Sequence, residues 1–250
     1  MPTFKNGPVT IHYEEAGSGF PLLVLPGGGL NATIAGLANH PFDPLQEFSE
    51  TYRVIALDLR NANNGGTAGP LEIARTWDGF VDDQLALLDH LGIDRFMVMG
   101  FCIAGPMIWN LLKHVGDRVV AATLVHPSGY TSSHPDIYVK NALKGWAPEF
   151  MKRRPEITLE MITEFLDTMY TKRADFVFTV DRDFVRNCQT PVLVLPDDIP
   201  AHPYATAMET ALLAPNAQVS LYPWKENDRK IALALNHIRD FLAVNTPAAG

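Results

Sequence analysis

The sequence predicts an α/β protein built on a mostly parallel sheet flanked by helices, and three observations predict it. Short apolar runs alternate along the chain with helix-length amphipathic segments. Each run is only a few residues long and rich in Val, Leu or Ile, as strands covered on both faces are. The chain has 250 residues, 47% of them apolar, which is enough to bury a sizeable core and argues against disorder.

The elements follow in order. "GPVTIHYEEAGSG" (7–19) reads as an antiparallel hairpin arm. "PLLVLP" (21–26), "YRVIALD" (52–58), "RFMVMGF" (95–101), "VVAATLV" (119–125), "PVLVLP" (191–196) and "QVSLYP" (218–223) read as buried strands. Between them, "FVDDQLALLDHLG" (80–92), "IAGPMIWNLLKHVG" (103–116), "YATAMETALLAP" (204–215) and "DRKIALALNHIRDFL" (228–242) carry apolar residues at steps of three and four, which marks helices. Alternation of this kind implies right-handed crossovers.

One stretch breaks the rhythm. Residues from 127 to about 187 separate two strands by far more than a crossover requires. Ile157, Met161, Phe165 and Met169 recur there at steps of four, and Trp146, Phe150 and Met151 lie just before them. Such an apolar stripe needs something to cover. The segment therefore reads as a small helical cap over the carboxyl ends of the strands, where ligands bind in such sheets, rather than as an extra helix on the body. No internal repeat or interdomain linker is visible, so residues 1–250 form one domain in this reading.

Composition excludes several classes. The net charge is −8 and the 20 Lys and Arg are scattered, which argues against nucleic acid and against an anionic membrane surface. The two cysteines, Cys102 and Cys188, cannot make a disulfide framework, and no CxxC spacing suggests a metal. The start "MPTFKNGPVT" lacks a basic stretch followed by an apolar one, and no apolar run approaches the ~18 residues of a membrane span. The expectation is a cytoplasmic protein acting on a small molecule, with no metal or organic cofactor; a homodimer is left open.

The chemistry centres on "MGFCIAGP" (99–106), where a strand pattern turns into a helix pattern. A sharp strand-to-helix turn holds its central residue in a strained conformation, with the side chain at the top of the sheet. The flanking positions must be small, and Gly100, Ala104 and Gly105 are. The helix N-terminus beside the sulfur favours a thiolate. The alternative is a small apolar residue that falls at a turn.

With these residues the chain resembles the α/β-hydrolase superfamily over nearly its whole length. "GFCIAG" (100–105) stands where that family has G-x-S-x-G, and the cysteine resembles the dienelactone-hydrolase type of nucleophile. "LPGGGLNA" (25–32) resembles the family's HG-x loop, with Pro26 in place of the usual His. "DLRNANNGG" (58–66) resembles the D-x-R-G-x-G loop, and "LLDHLGIDRFMVMG" (87–100) is typical of the run into the elbow.

The resemblance implies an α/β-hydrolase fold, with an oxyanion hole made by the backbone N–H groups of Gly28 and Ile103. It also implies an acid after the strand "PVLVLP". In "DDIPAHP" (197–203) Asp197 and Asp198 both qualify, and Asp198 is the choice. The family's histidine follows the last strand, but "PWKENDRK" (223–230) has none, and His237 lies inside the final helix. Of the eight histidines, His202 on the acid's loop ranks first as the base and His126 second. The expected activity is cysteine-dependent hydrolysis of a small, fairly apolar ester, lactone or activated carbonyl compound. The alternative is a lyase, an isomerase or a small-ligand binder with a degenerate triad.

Overall fold

A computed structural model describes residues 2–248. Its sheet has eight strands: β1 (Thr3–Asn6), β2 (Val9–Ala16), β3 (Phe20–Leu25), β4 (Tyr52–Leu57), β5 (Phe96–Phe101), β6 (Val119–Val125), β7 (Val192–Leu195) and β8 (Ala217–Val219). They lie in the order β1-β2-β4-β3-β5-β6-β7-β8. β2 is antiparallel to both β1 and β4, and the remaining pairs are parallel. This is the α/β-hydrolase fold, a mostly parallel sheet flanked by helices.

The apolar strand runs are explained by the two faces of the sheet. Successive side chains point to opposite sides. Leu23, Leu25, Ile55, Leu57 and Val98 enter one core with α2 (Thr76–His90) and α3 (Ala104–Val115). Their neighbours Leu22, Val24, Val54, Met97 and Met99 enter a second core with α9 (Asp228–Asn245). β5 is buried at every position, and the elbow follows directly from it.

Between β3 and β4 lie two single 3₁₀ turns (Gly29–Asn31 and Ala35–Asn39) and the short α1 (Pro44–Phe48), none of which the periodicity reveals. Asp43 caps α1, its carboxylate accepting from Leu45 N–H. The segment between β6 and β7 folds as α4 (Ile137–Lys144), α5 (Ala147–Arg153), α6 (Leu159–Leu166) and α7 (Arg182–Asn187). The step-of-four stripe is not one helix. Thr158 caps α6, accepting from Met161 N–H, and the backbone widens into a π-turn at Asp167–Thr171. Ile157, Phe165 and Met169 are buried, but Met161 is only half-buried and Ile162 fills the core in its place. The Trp77 indole on α2 donates to the Met169 carbonyl at 3.1 Å, tying this segment to the body.

The last strand ends at Val219, earlier than the apolar run predicts. β8 is a largely exposed edge, and Pro223 has no N–H to extend its ladder. The chain leaves the sheet there and buries Trp224, whose indole donates to the Pro196 carbonyl at 3.0 Å. α8 (Tyr204–Leu213) connects β7 to β8. Among the described residues, no helix is long and apolar enough to cross a membrane.

Candidate active site

Cys102 sits on the turn between β5 and α3 with φ at +54°, a left-handed conformation rare for a residue with a side chain. Three hydrogen bonds hold it there. Its N–H donates to Val125 at 3.0 Å, and its carbonyl accepts from Gly105 at 3.0 Å and Ser128 at 2.9 Å. Small neighbours are obligatory. A Cβ on Gly100 would lie 2.5 Å from Ala104 Cβ, and one on Gly105 would lie 2.6 Å from Pro127 Cβ. A Cβ on Gly27 would come within 3.0 Å of Cys102 Cβ, so the loop after β3 passes directly against the thiol.

That loop is braced from below. Asp58, at the end of β4, accepts from Ile34 N–H at 2.7 Å, Gly66 N–H at 2.6 Å and His12 Nδ1 at 2.6 Å. Asn63 N–H donates to the Leu30 carbonyl at 2.7 Å, and its amide side chain donates to Asn31 and to the Trp146 carbonyl. The "DLRNANNGG" loop thus fixes Leu30, Asn31 and Ile34 of the loop after β3 and the entry to α5.

The thiol has several polar neighbours. Cys102 Sγ lies 3.4 Å from the Ser128 hydroxyl. Burial pushes the thiol up, but the nearby His202 and its charge outweigh it. With smaller contributions from Ser128 and the Ile103 N–H, they hold the thiol below its ordinary range. The reverse applies to His202. Burial lowers it, and the nearby Cys102, with the bond and charge of Asp197, raises it above the usual imidazole value.

The carboxylate behind His202 is Asp197, not Asp198. His202 Nδ1 lies 3.0 Å from Asp197 Oδ2, whereas the Asp198 side chain is exposed. The "DDIPAHP" loop closes on itself through Ile199 and His202, whose backbones exchange hydrogen bonds of 3.3 and 2.8 Å, and this fold-back brings the imidazole to the buried Asp197. Lys225, in the loop after β8, also reaches Asp197 Oδ2, at 2.5 Å. Burial pushes Asp197 up, and its bonds to Lys225 and His202 bring it below the usual carboxylate range.

His126 has a different setting. It ends β6, buried, with φ at +37°, and its ring stacks on His202 at 4.8 Å and on Trp224 at 5.9 Å. Among the described residues, its Nδ1 has no hydrogen-bond partner. Burial, then the charges of His202 and Lys225, hold it well below the ordinary imidazole value. His237 pairs with Gln218 of β8 at 2.9 Å.

Sequence reasoning missed Ser128, Lys225 and Tyr138. The Tyr138 hydroxyl on α4 accepts from Gly129 N–H at 3.0 Å and lies 2.8 Å from the carbonyls of Gly129 and Ala201. It ties α4 to the loop that carries His202. Lys225 had a signal, since it occupies the loop where the family's histidine was sought.

Cys102, Ser128 and Tyr138 border a cavity of about 220 Å³, and Ala201, the residue before His202, reaches its edge. Gly28, Cys102, Ile103 and Ser128 form its floor, and Tyr138, Trp146 and Tyr170 line it from the segment between β6 and β7. Asn31 and Asn141 add neutral polar groups, and among the described residues no charged side chain lines it. Among the described residues, no group of three or more His, Cys, Asp or Glu side chains is arranged to hold a metal ion.

A family model for the alpha/beta hydrolase fold matches residues 21–230, and the chain belongs to that family. A curated relative, human epoxide hydrolase 4 (Homo sapiens), is 28% identical over 163 residues, 59% of this chain and 42% of that protein. The chain therefore matches well under half the length of that relative. Two solved structures share the fold. A meta-cleavage product hydrolase from Pseudomonas fluorescens IP01 has a TM-score of 0.69 at 18% identity, covering 94% of this chain and 95% of its own. The enol-lactonase from Burkholderia xenovorans LB400 has a TM-score of 0.66 at 19% identity, covering 97% and 100%.

Proposed function

We propose that the protein is a cysteine-dependent hydrolase of small, neutral, fairly apolar esters or lactones. One observation carries this reading: a thiol on a strained elbow, beside an imidazole whose far nitrogen is held by a buried carboxylate. That is the order of groups that activates a nucleophile. The relatives named as hydrolases and as a lactonase agree with the reaction class.

The Cys102 thiolate attacks the carbonyl carbon, and the displaced electron pair moves to oxygen. The Gly28 and Ile103 N–H groups receive that oxyanion. As the intermediate collapses, the carbon–oxygen bond to the leaving group breaks and His202 protonates the departing alkoxide. Neutral His202 then takes a proton from water, and the hydroxide attacks the thioester. Collapse expels the Cys102 thiolate and leaves a carboxylic acid. Asp197 holds the His202 ring in the tautomer this needs.

The cavity sets the substrate class. Its volume of about 220 Å³ is below the roughly 300–1,000 Å³ of drug-sized sites. Aromatic walls with no charge favour a flat or apolar neutral acyl group. In this reading α4–α7 are a cap that keeps water from the thioester.

The test is intact-mass spectrometry after mixing with an activated ester such as p-nitrophenyl acetate. An acetyl adduct on Cys102 that forms and decays at the rate of product release is expected, with none in Cys102→Ala. Turnover that survives Cys102→Ala would overturn the covalent reading. The non-hydrolytic alternative keeps one support, the lysine in the loop where the family's histidine was sought, and a ligand-binding protein would show neither adduct nor turnover.

A further inference from the structure

Lys225 has no part in the steps above, yet its ammonium reaches the oxygen of Asp197 that also serves His202. Nζ lies 2.5 Å from Asp197 Oδ2, and His202 Nδ1 lies 3.0 Å from the same atom. The Asp197 side chain is 9% exposed and that of Lys225 34% exposed, so the pair straddles the edge of the site. The arrangement is unlike an ordinary surface ion pair, because the shared carboxylate is buried and its second partner gains and loses a proton in each turnover.

We propose that Lys225 is a positioning residue: it is the permanent counter-ion of Asp197, holding that carboxylate in place while the proton on His202 comes and goes. This deepens the hydrolase reading and rests on it.

When His202 passes its proton to the leaving group, a buried carboxylate backed only by neutral imidazole would be left without a cation. Leaving a charge buried and unpaired is costly. Lys225 removes that cost in every protonation state of His202. The carboxylate neither rotates away nor takes up the proton itself. The same cation disfavours further positive charge nearby. Burial first, then the His202 and Lys225 charges, keeps both His40 and His126 below the usual imidazole value. Of the three adjacent rings of His40, His126 and His202, His202 alone is shifted toward its protonated form.

The titratable and charged groups facing His202 come from every element around it. Cys102 approaches from the elbow, His126 from the end of β6, and His40 from the loop before α1. Asp197 and Asp198 share its own loop, Tyr138 reaches in from α4, and Lys225 comes from the loop after β8, where Tyr222 lies near both aspartates. Asp197 and Lys225 are the opposed charges among them. Removing the lysine leaves the carboxylate's field on His202 and Cys102 unopposed. Both groups then hold their protons more tightly, and both titrations move to higher pH.

The experiment compares Lys225→Met, Lys225→Gln and Lys225→Arg with the unaltered protein. Two readings are taken: the NMR titration of the His202 ring, and the pH dependence of Cys102 alkylation by iodoacetamide. In Lys225→Met and Lys225→Gln both midpoints should rise by about one pH unit, the usual scale for a close charge. Lys225→Arg should restore both. With an ester substrate, kcat should fall in the neutral variants with KM little changed. Unmoved midpoints in a folded Met or Gln variant would overturn the proposal, as would failure of arginine to restore them. The NMR titration needs no turnover. A protein that forms no acyl adduct would defeat the hydrolase reading while the role of Lys225 is still decided by the His202 midpoint.

Discussion

Asp197 and Asp198 are adjacent carboxylates in one loop, and only one of them reaches an imidazole. Asp197 is buried against His202 and Lys225, and Asp198 faces solvent. Asp197→Asn should therefore lower the acyl-transfer rate by about 10²-fold or more, as loss of support for a general base does. Asp198→Asn, an exposed change, should alter it by no more than about twofold. His202→Ala should match Asp197→Asn in steady-state hydrolysis of a small ester. His126→Ala is the decisive control: if it stops turnover while His202→Ala does not, the base assignment falls. The type of each residue was legible in "DDIPAHP". Its register was not, because where β7 stops, and which aspartate then turns inward, is decided by one residue of strand end. Ser128 was not legible at all. It follows β6 in sequence and reaches Cys102 only because β6 lies beside β5.

At the scale of elements, the elbow is the most constrained unit. β5 and α3 approach so closely that Gly100 and Ala104 touch. Gly100→Ala should destabilise the protein by about 1–3 kcal/mol, the usual effect of overpacking, read as a lower urea midpoint at unchanged slope. A variant as stable as the parent would mean that strand and helix are less tightly apposed than the geometry requires. This unit was legible because it is local: an apolar run, small flanking residues and a second apolar run occupy consecutive positions. The segment between β6 and β7 was legible only as an apolar stripe. Its division into α4–α7 depends on Pro148 opening α5, on the Thr158 and Asp181 caps and on the π-turn, and a step-of-four count smooths over such features.

The segment between β6 and β7 unfolds with the body if the two share a core, and they do. Phe150, Ile162, Phe165 and Val185 from the segment between β6 and β7 share a core with Leu23, Ile55 and Val98 of the sheet. Trp77 adds a hydrogen bond across the junction. Urea unfolding should therefore give coincident transitions by circular dichroism and by tryptophan fluorescence, with Trp109 reporting on the body and Trp146 on the segment over the cavity. An early fluorescence transition confined to Trp146 would show that α4–α7 open independently.

By itself the sequence determined the alternation of strand and helix, the two-sided burial of the strands and the elbow at Cys102, because each is written in neighbouring residues or a short period. Tertiary structure alone decided which carboxylate meets the His202 ring, that Lys225 shares its oxygen, and which aromatic side chains enclose the cavity. Cys102, Ser128, His202 and Lys225 come from four separate connections of one sheet. Their distances depend on strand order, strand ends and the paths of the loops between them, and local propensity carries none of that information. The same separation explains how a loop without a histidine coexists with a complete set of polar groups. The imidazole arrives from the loop after β7, and the loop after β8 supplies a cation to the same carboxylate.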